Sequence, residues 1–310
     1  MLKFIFKRTL ITIPTIFILI LLVFFLVHVA PGNPFQGEKA LSKEVMQQLI
    51  HQYRLDLPFW KQFVFYINDL LHGNLGSSYK FIGKSINDII FPNNFGGFWV
   101  TLHLSIYAMI LVIPLGILIG CYSGVYKSTI FDRFFFTFNI VFSSIPTIVT
   151  GPILVLVFSI ILKLFPSSGI GDGSLQYFVL PISALVLAYM PTIAMVTRCS
   201  IIEVLSSNFI RTAKAKGLPL RIIIFRHAIK PTLIPVVALL GTTFSGILVG
   251  SIVTEQVFAL PGLGILTTNA ALNRDYALIL GITILGSVIT IFFNLLVDII
   301  YFILDPRIKK

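Results

Sequence analysis

The residues that could do chemistry are few, and they sit in long apolar stretches. Asn294 and Asp298 stand four residues apart near the C-terminus, so both fall on one face of a helix. Glu255 closes an earlier stretch that carries Gly241, Thr242, Ser245, Gly246, Gly250 and Ser251. An ionisable group at membrane depth is costly and points by default to ion or proton movement. For Asp298, pairing with a polar group of another helix outweighs that reading. The Gly246-x-x-x-Gly250 spacing permits close helix packing, and the same small residues with Ser251 could line a polar pathway. A proton- or sodium-driven carrier would need more buried carboxylates than these.

Other constellations are missing. The histidines, His28, His51, His72, His103 and His227, are scattered, without His-Glu-x-x-His and without a cysteine partner. His28 and His103 read as hydrogen-bonded structural residues, and Cys121 and Cys199 as small buried apolar ones. No Gly-x-x-x-x-Gly-Lys-Ser/Thr loop is present, so P-loop binding of ATP is not expected. Gly-x-Ser-x-Gly is absent too, which speaks against an intramembrane serine hydrolase. No cofactor or metal site is expected, and the energy source for any transport is expected elsewhere.

The elements around these residues are membrane spans. The 310 residues are 56% apolar and 11% charged, against about 45–50% and about 25% in soluble domains. Mean hydropathy is +0.96. Six intervals of more than 20 residues contain no Asp, Glu, Lys or Arg, and a span needs roughly 20 apolar residues. They predict an all-α integral membrane protein with helices at about 9–30, 98–122, 134–162, 176–197, 232–255 and 277–303. The interval between Glu255 and Arg274 carries Pro261, Gly262, Gly264 and Asn269 and reads as a loop, not a seventh span. The apolar run from Thr9 to Val27 exceeds a signal-peptide core and reads as an uncleaved first helix.

The net charge of +11 could suggest nucleic acid, but its distribution records topology instead. With the N-terminus inside, Lys3, Lys7, Arg8, Lys127, Arg133, the cluster Arg198 to Lys230, and the tail Arg307, Lys309 and Lys310 all face the cytosol. That places 15 of the 23 basic residues inside and leaves eight outside, matched by eight acids. Both termini are then cytosolic and no nucleic-acid partner is implied.

Two loops are long enough for function. The outer loop, 31–97, holds an apolar stripe from Leu41 to Tyr53 with Ser42 as its cap. A second stripe, Trp60 to Leu71, is opened by Pro58 and closed by Gly73. Both suit interfacial helices or a docking platform for an extracytoplasmic partner. In the inner loop, 198–231, Asn208 can cap a short helix that Gly217 ends, and Pro219 can start another turn. Its Ala and Gly spacing permits close approach by another surface.

This inner loop resembles the EAA-type loop of ABC importer permeases. The residues are Arg211-Thr212-Ala213-Lys214-Ala215-Lys216-Gly217-Leu218, then Arg226-His227-Ala228 and Leu233-Ile234-Pro235. Matches continue in order along the chain: Ala30-Pro31-Gly32-Asn33-Pro34, Leu55-Asp56-Leu57-Pro58, Gly73-Asn74-Leu75-Gly76, Phe131-Asp132-Arg133, Ser144-Ile145-Pro146, Glu255-Gln256-Val257-Phe258, Pro261-Gly262-Leu263-Gly264 and Asp305-Pro306-Arg307. The version is similar to the oligopeptide/dipeptide/nickel subfamily, and the long first outer loop to the first of its two permease subunits. Arg211 replaces the motif's initial Glu, and Asn33 and Asn74 replace usual aspartates. The resemblance implies a type I importer permease fold in a bacterial inner membrane, with the inner loop as coupling helix. Arg211 to Leu218, with Arg226 and His227, would engage cytosolic ATPases. Expected partners are a second homologous permease, two ATPase subunits, a substrate-binding protein and the lipid bilayer. Peptide is the implied cargo; nickel, glutathione or a stand-alone carrier are the alternatives. Gly246, Gly250, Ser251, Glu255, Asn294 and Asp298 are the candidates for pathway or helix packing.

Overall fold

A computed structural model describes residues 2–29, 43–81, 83–92, 96–171 and 173–304. The Ala30–Pro34 turn, the Ser42 cap and the Asp305-Pro306-Arg307 tail with its lysines lie outside these residues. The described chain is helical. In order it forms α1 (Leu2–Val29), α2 (Lys43–Gln52), α3 (Phe59–Leu71), α4 (Ile86–Ile90), α5 (Phe98–Val125), α6 (Ile130–Ser144) and α7 (Thr147–Leu154), the last continued by a π-helical segment, Val155–Ile161. Then come α8 (Gln176–Ser206), α9 (Asn208–Ala215), α10 (Leu220–Ile222), a second π-helical segment Ile223–Ala228, α11 (Ile229–Val257), α12 (Leu263–Leu272) and α13 (Tyr276–Leu304).

Five helices among the described residues are long and apolar enough to cross a membrane: Arg8–Val29, Phe98–Val125, Gln176–Ser206, Leu220–Val257 and Tyr276–Leu304. The bent pair Ile130–Ser144 and Thr147–Ile161 makes a sixth when counted as one crossing. The span expected at about 134–162 is therefore broken, with a bend of 108°. Pro146 is the reason. Its ring disfavours helical geometry at the preceding residue, and Ile145 is extended at φ −92°, ψ 118°. Counting charge-free residues gives length but carries no information on a bend.

Other differences from expectation are at helix ends. The fourth span runs past 197 to Ser206, and the fifth begins at Leu220 instead of 232, making one helix of 38 residues. At 1.5 Å per residue that is about 57 Å, well beyond a hydrocarbon core of about 30 Å. The interval after Glu255 contains α12 and is not all loop. Its 10 residues reach only about 15 Å, too short to cross. Five prolines inside the long helices α1, α5, α8 and α11 (Pro14, Pro114, Pro181, Pro191 and Pro235) are tolerated as they are in membrane helices generally.

The chain divides into two compact units. The first comprises Met1–Arg8, Leu102–Leu260 and Thr290–Lys310. In it, α8 packs against α11, α6 and α7, and α5 meets α8 through a glycine ladder. A Cβ on Gly116 would sit 2.7 Å from Ile193 Cγ2, and Cβ atoms on Gly120 and Gly124 would collide with the Ala194 carbonyl and the Ile201 side chain. The second unit comprises Thr9–Thr101 and Pro261–Ile289. There α1 and α3 enclose an aromatic core of Phe24, Phe63 and their neighbours, and α4 packs with α12 and α13 around Ile86, Ile90, Leu263 and Leu278.

Candidate functional site

In the first unit, the inner loop is built around a short amphipathic helix. Ser207, extended at φ −70° and ψ 157°, precedes α9, so the N-cap position is Ser207 and Asn208 is already helical. The Ser207 hydroxyl donates to Val204 O at 2.6 Å, tying the end of α8 to the start of α9. On the inward face, Ile210 and Ala213 are buried against Ile201, Ile223 and Ala228, with Leu218 beside them. Phe209, Arg211, Thr212, Lys214, Ala215 and Lys216 are exposed. The small side chain of Ala213 thus serves packing within its own chain, and Ala215 is the alanine that faces outward.

The end of α9 is a Schellman turn. Gly217 N donates to Lys214 O at 2.9 Å and Leu218 N to Ala213 O at 3.4 Å, the paired bonds that define this cap. Gly217 has φ +74°, a region where a Cβ is disfavoured. Nothing lies within 4 Å of where that Cβ would be, so the requirement for glycine is conformational only. Pro219 then opens the 38-residue helix, whose first turns hold exposed Arg226 and half-buried His227 within the π-helical segment. Such segments are frequent at functional sites.

The candidate pathway residues fall into helix contacts. Tyr189 of α8 lies over Gly246 and Gly250 of α11. Its hydroxyl donates to Gly246 O, and added Cβ atoms would come within 2.7 Å of Cε1 and 2.6 Å of the hydroxyl oxygen. The Gly246-x-x-x-Gly250 spacing thus admits an aromatic ring. Ser251 is buried and donates to Leu248 O at 2.7 Å, and Glu255 is fully buried at the end of α11. Asn294 presents Oδ1 where a Cβ on Gly241 would stand, next to the stacked rings of Phe244 and Phe293. Asp298 pairs with Arg8 Nη1 at 3.2 Å. Asn294 and Asp298 share a face, but each meets a different element. Of the cysteines, Cys121 is half-buried, whereas Cys199 is exposed, contrary to expectation.

Sequence reasoning missed a buried clamp about two turns before the end of α8. Arg198 of α8 donates Nε and Nη2 to the two carboxylate oxygens of Asp132 on α6, at 2.7 and 2.9 Å. Asp132 also accepts from the Ser123 hydroxyl and from Ser128 N at 2.8 Å. The guanidinium lies 5.1 Å from the centre of the Phe136 ring. The ends of α5, α6 and α8 are thereby fixed to one carboxylate. Separation of 66 residues hid the pair, and only Phe131-Asp132-Arg133 stood out. The Gly116, Gly120, Gly124 ladder was legible as a repeat of the same four-residue spacing read at Gly246 and Gly250.

In the second unit, a matching anchor is buried Asp275, just before α13. It accepts from the Ser78 hydroxyl, from Tyr79 N at 3.1 Å and from Leu278 N at 3.3 Å. Burial pushes the Tyr79 hydroxyl up to about 12, with the charge of Asp275 and then Tyr53 adding to it. Tyr53 donates to Ser78 O at 3.0 Å and is raised as well, first by burial and then by Asp275.

A chain of five long apolar helices and one bent pair, with its polar residues engaged in helix contacts and an amphipathic loop, has the architecture of a multi-pass membrane protein. The chain belongs to the family described as binding-protein-dependent transport system inner membrane component, whose model matches residues 112–310, with the family's N-terminal model matching 1–85. It is 45% identical over 309 residues to the oligopeptide transport system permease protein OppB of Haemophilus influenzae, and equally so to that of Escherichia coli, covering all of each chain. To the dipeptide transport system permease protein DppB of Bacillus subtilis it is 36% identical, over 100% of this chain and 98% of that one. Among solved structures, an inward-facing MetNI methionine ABC transporter matches with TM-score 0.57 at 18% identity, over 67% of this chain and 94% of that one. An amino acid ABC transporter matches at TM-score 0.53 and 16% identity, over 66% and 91%. The fold is that of type I ABC importer permeases, and the protein is a multi-pass inner-membrane component of such an importer.

Proposed function

We propose that this chain moves peptides into the cytoplasm as one of two homologous permease subunits, powered by ATP hydrolysis on separate subunits. The observation that carries the coupling role is α9. It is a basic, exposed helix seated on a buried cluster, with its ends joined to two of the longest helices in the chain. Movement of α9 under an ATPase surface would be passed to α8 through Ser207 and to α11 through the turn at Gly217 and Pro219. The exposed face, Arg211, Thr212, Lys214, Ala215 and Lys216 with Phe209, is the contact surface. Ala213, Gly217 and Leu218 shape it from behind, and Arg226 and His227 flank it. Peptide as cargo rests on the relatives named for oligopeptide and dipeptide transport.

The orientation follows from charge. Arg211, Lys214, Lys216, Arg221, Arg226 and Lys230 lie in or near α9 in the sequence, and this excess of positive charge supports a cytosolic loop with both termini on the same side. A substrate-binding protein would dock on the opposite face, against the outer loop 31–97. The translocation pathway would run between this chain and its homologous partner. Gly246, Gly250, Asn294 and Asp298 then act in helix packing, and Ser251 and Glu255 support the outer end of the fifth span.

Ala215→Glu and Gly217→Val test this reading in cells that depend on peptide uptake. The first puts a charge on the exposed face, and the second disturbs the cap without a steric clash. Uptake and co-purification of the ATPase should both fall. Wild-type uptake with full ATPase retention in both variants would refute a coupling role for α9.

A further inference from the structure

Within the second unit, a cavity of about 300 Å³ lies beside the last turns of α1, one flank of α3 and the turn after α2. Phe24 and Leu280 form its buried wall, and Arg54 and Asp69 its open one. Arg54 Nη1 stands 3.9 Å from Asp69 Oδ2, so the opposite charges are adjacent without a hydrogen bond joining them. Both side chains reach solvent. The guanidinium is nonetheless held in place, 4.6 Å from the centre of the Phe65 ring, on a backbone at φ +58°. Left-handed backbone is uncommon outside glycine and signals a constrained position. Tyr66 also lines the cavity, and its buried hydroxyl has no hydrogen-bond partner among the described residues.

A held guanidinium fork and a carboxylate thus face one space, while the unused Tyr66 hydroxyl is enclosed behind its wall. The fork suits a phosphate or carboxylate oxyanion, and the carboxylate suits an ammonium that can donate N–H bonds. The ligand chemistry is therefore an oxyanion joined to a primary ammonium by a short linker. Depth selects the source. The first span runs from Arg8 to Val29, which puts Phe24 to His28 within about 8 Å of the end of that helix, at the level of lipid headgroups. The neighbouring α3 exposes Trp60 and Val64, each 64% accessible, as an interfacial helix does.

We propose that this cavity binds the phosphoethanolamine headgroup of a bilayer lipid, with phosphate on Arg54 and ammonium on Asp69. Choline cannot donate to Asp69, and a glycerol headgroup brings no cation.

The test is lipid retention by the full-length chain, purified with its partner subunits and followed by native mass spectrometry. Phosphatidylethanolamine, phosphatidylcholine and phosphatidylglycerol of identical acyl chains are supplied in equal amounts. Retention of phosphatidylethanolamine should exceed the other two by about tenfold, the factor one charge-assisted hydrogen bond supplies. Asp69→Asn should remove most of that preference. Arg54→Gln should lower phosphatidylethanolamine retention about threefold while leaving thermal stability of the delipidated protein nearly unchanged, since the guanidinium is half-exposed and such pairs contribute little. Equal retention of the three lipids, or unaltered retention in Arg54→Gln, would overturn the proposal. So would displacement of the lipid by a soluble dipeptide, which would assign the cavity to a free zwitterion.

Discussion

Asp132→Ala should be among the most damaging single substitutions outside the inner loop. Asp132 is 4% exposed and the Arg198 side chain 19%. Breaking a buried ion pair by removing one partner costs about 3–5 kcal/mol, because the other charge is left uncompensated. Arg198 would keep the Phe136 ring and some water, which sets the expected cost near the lower end, about 3 kcal/mol. Arg198→Ala should cost somewhat less, about 2–3 kcal/mol, since Asp132 keeps the Ser123 hydroxyl and Ser128 N–H as donors. Removing both charges together also removes both desolvation penalties, so the double variant should be about 2 kcal/mol or more better than the sum of the singles. Reversible unfolding of the purified protein in mixed micelles, titrated with a denaturing detergent, reads all three. Additive single effects would show that the two groups do not depend on each other and would refute the clamp.

Four other outcomes follow from the same geometry. Gly250→Leu should destabilise by about 1–3 kcal/mol through collision with Tyr189, and Tyr189→Ala in the same chain should recover part of the loss in the same unfolding assay. Gly217→Ala should cost only about 1–2 kcal/mol, because strain is confined to the backbone, with uptake impaired more than folding; equal loss of both would count against that separation. Asp298→Asn should leave peptide uptake within about twofold of wild type, since its partner Arg8 is half-exposed and such pairs contribute little; abolished uptake would return Asp298 to the pathway. Tyr79 is neutral when protonated and its folded value is raised from 10.0 to about 12, so its contribution is present below pH 10 and lost as pH rises towards 12. Tyr79→Phe should flatten the decline in stability across that window, and an unchanged slope would contradict the assignment.

Length, charge and small-residue spacing made much of this architecture legible. A charge-free interval reports on segments apolar enough for the hydrocarbon core, and each of the six intervals holds a long apolar helix or the bent pair. It is silent on shape, so the bend at Ile145 escaped, although Pro146 was visible. The helix at α9, its glycine stop and the restart at Pro219 rest on local backbone preferences and needed no tertiary information. Whether Ala213 or Ala215 faces out depends on which side of α9 meets Ile201 and Ile223, and that is a tertiary fact. The same holds for the glycines of α11, where the occupant of the gap is a ring from α8. Pairs such as Asp132 with Arg198, or Ser78 with Asp275, are separated by 66 and 197 residues and leave no local trace.

The bend in the third crossing has a consequence for how the chain is made. Each arm, Ile130–Ser144 and Thr147–Ile161, has 15 residues and reaches about 23 Å, short of the hydrocarbon thickness. Neither arm can settle across the bilayer alone as it leaves the ribosome. The arms need their neighbours, and the carboxylate at the start of the first arm has its guanidinium partner only after Arg198 has been synthesised. The third crossing therefore acquires its anchoring ion pair only once the fourth helix has been made, and a chain ending between Ile161 and Arg198 would lack that clamp.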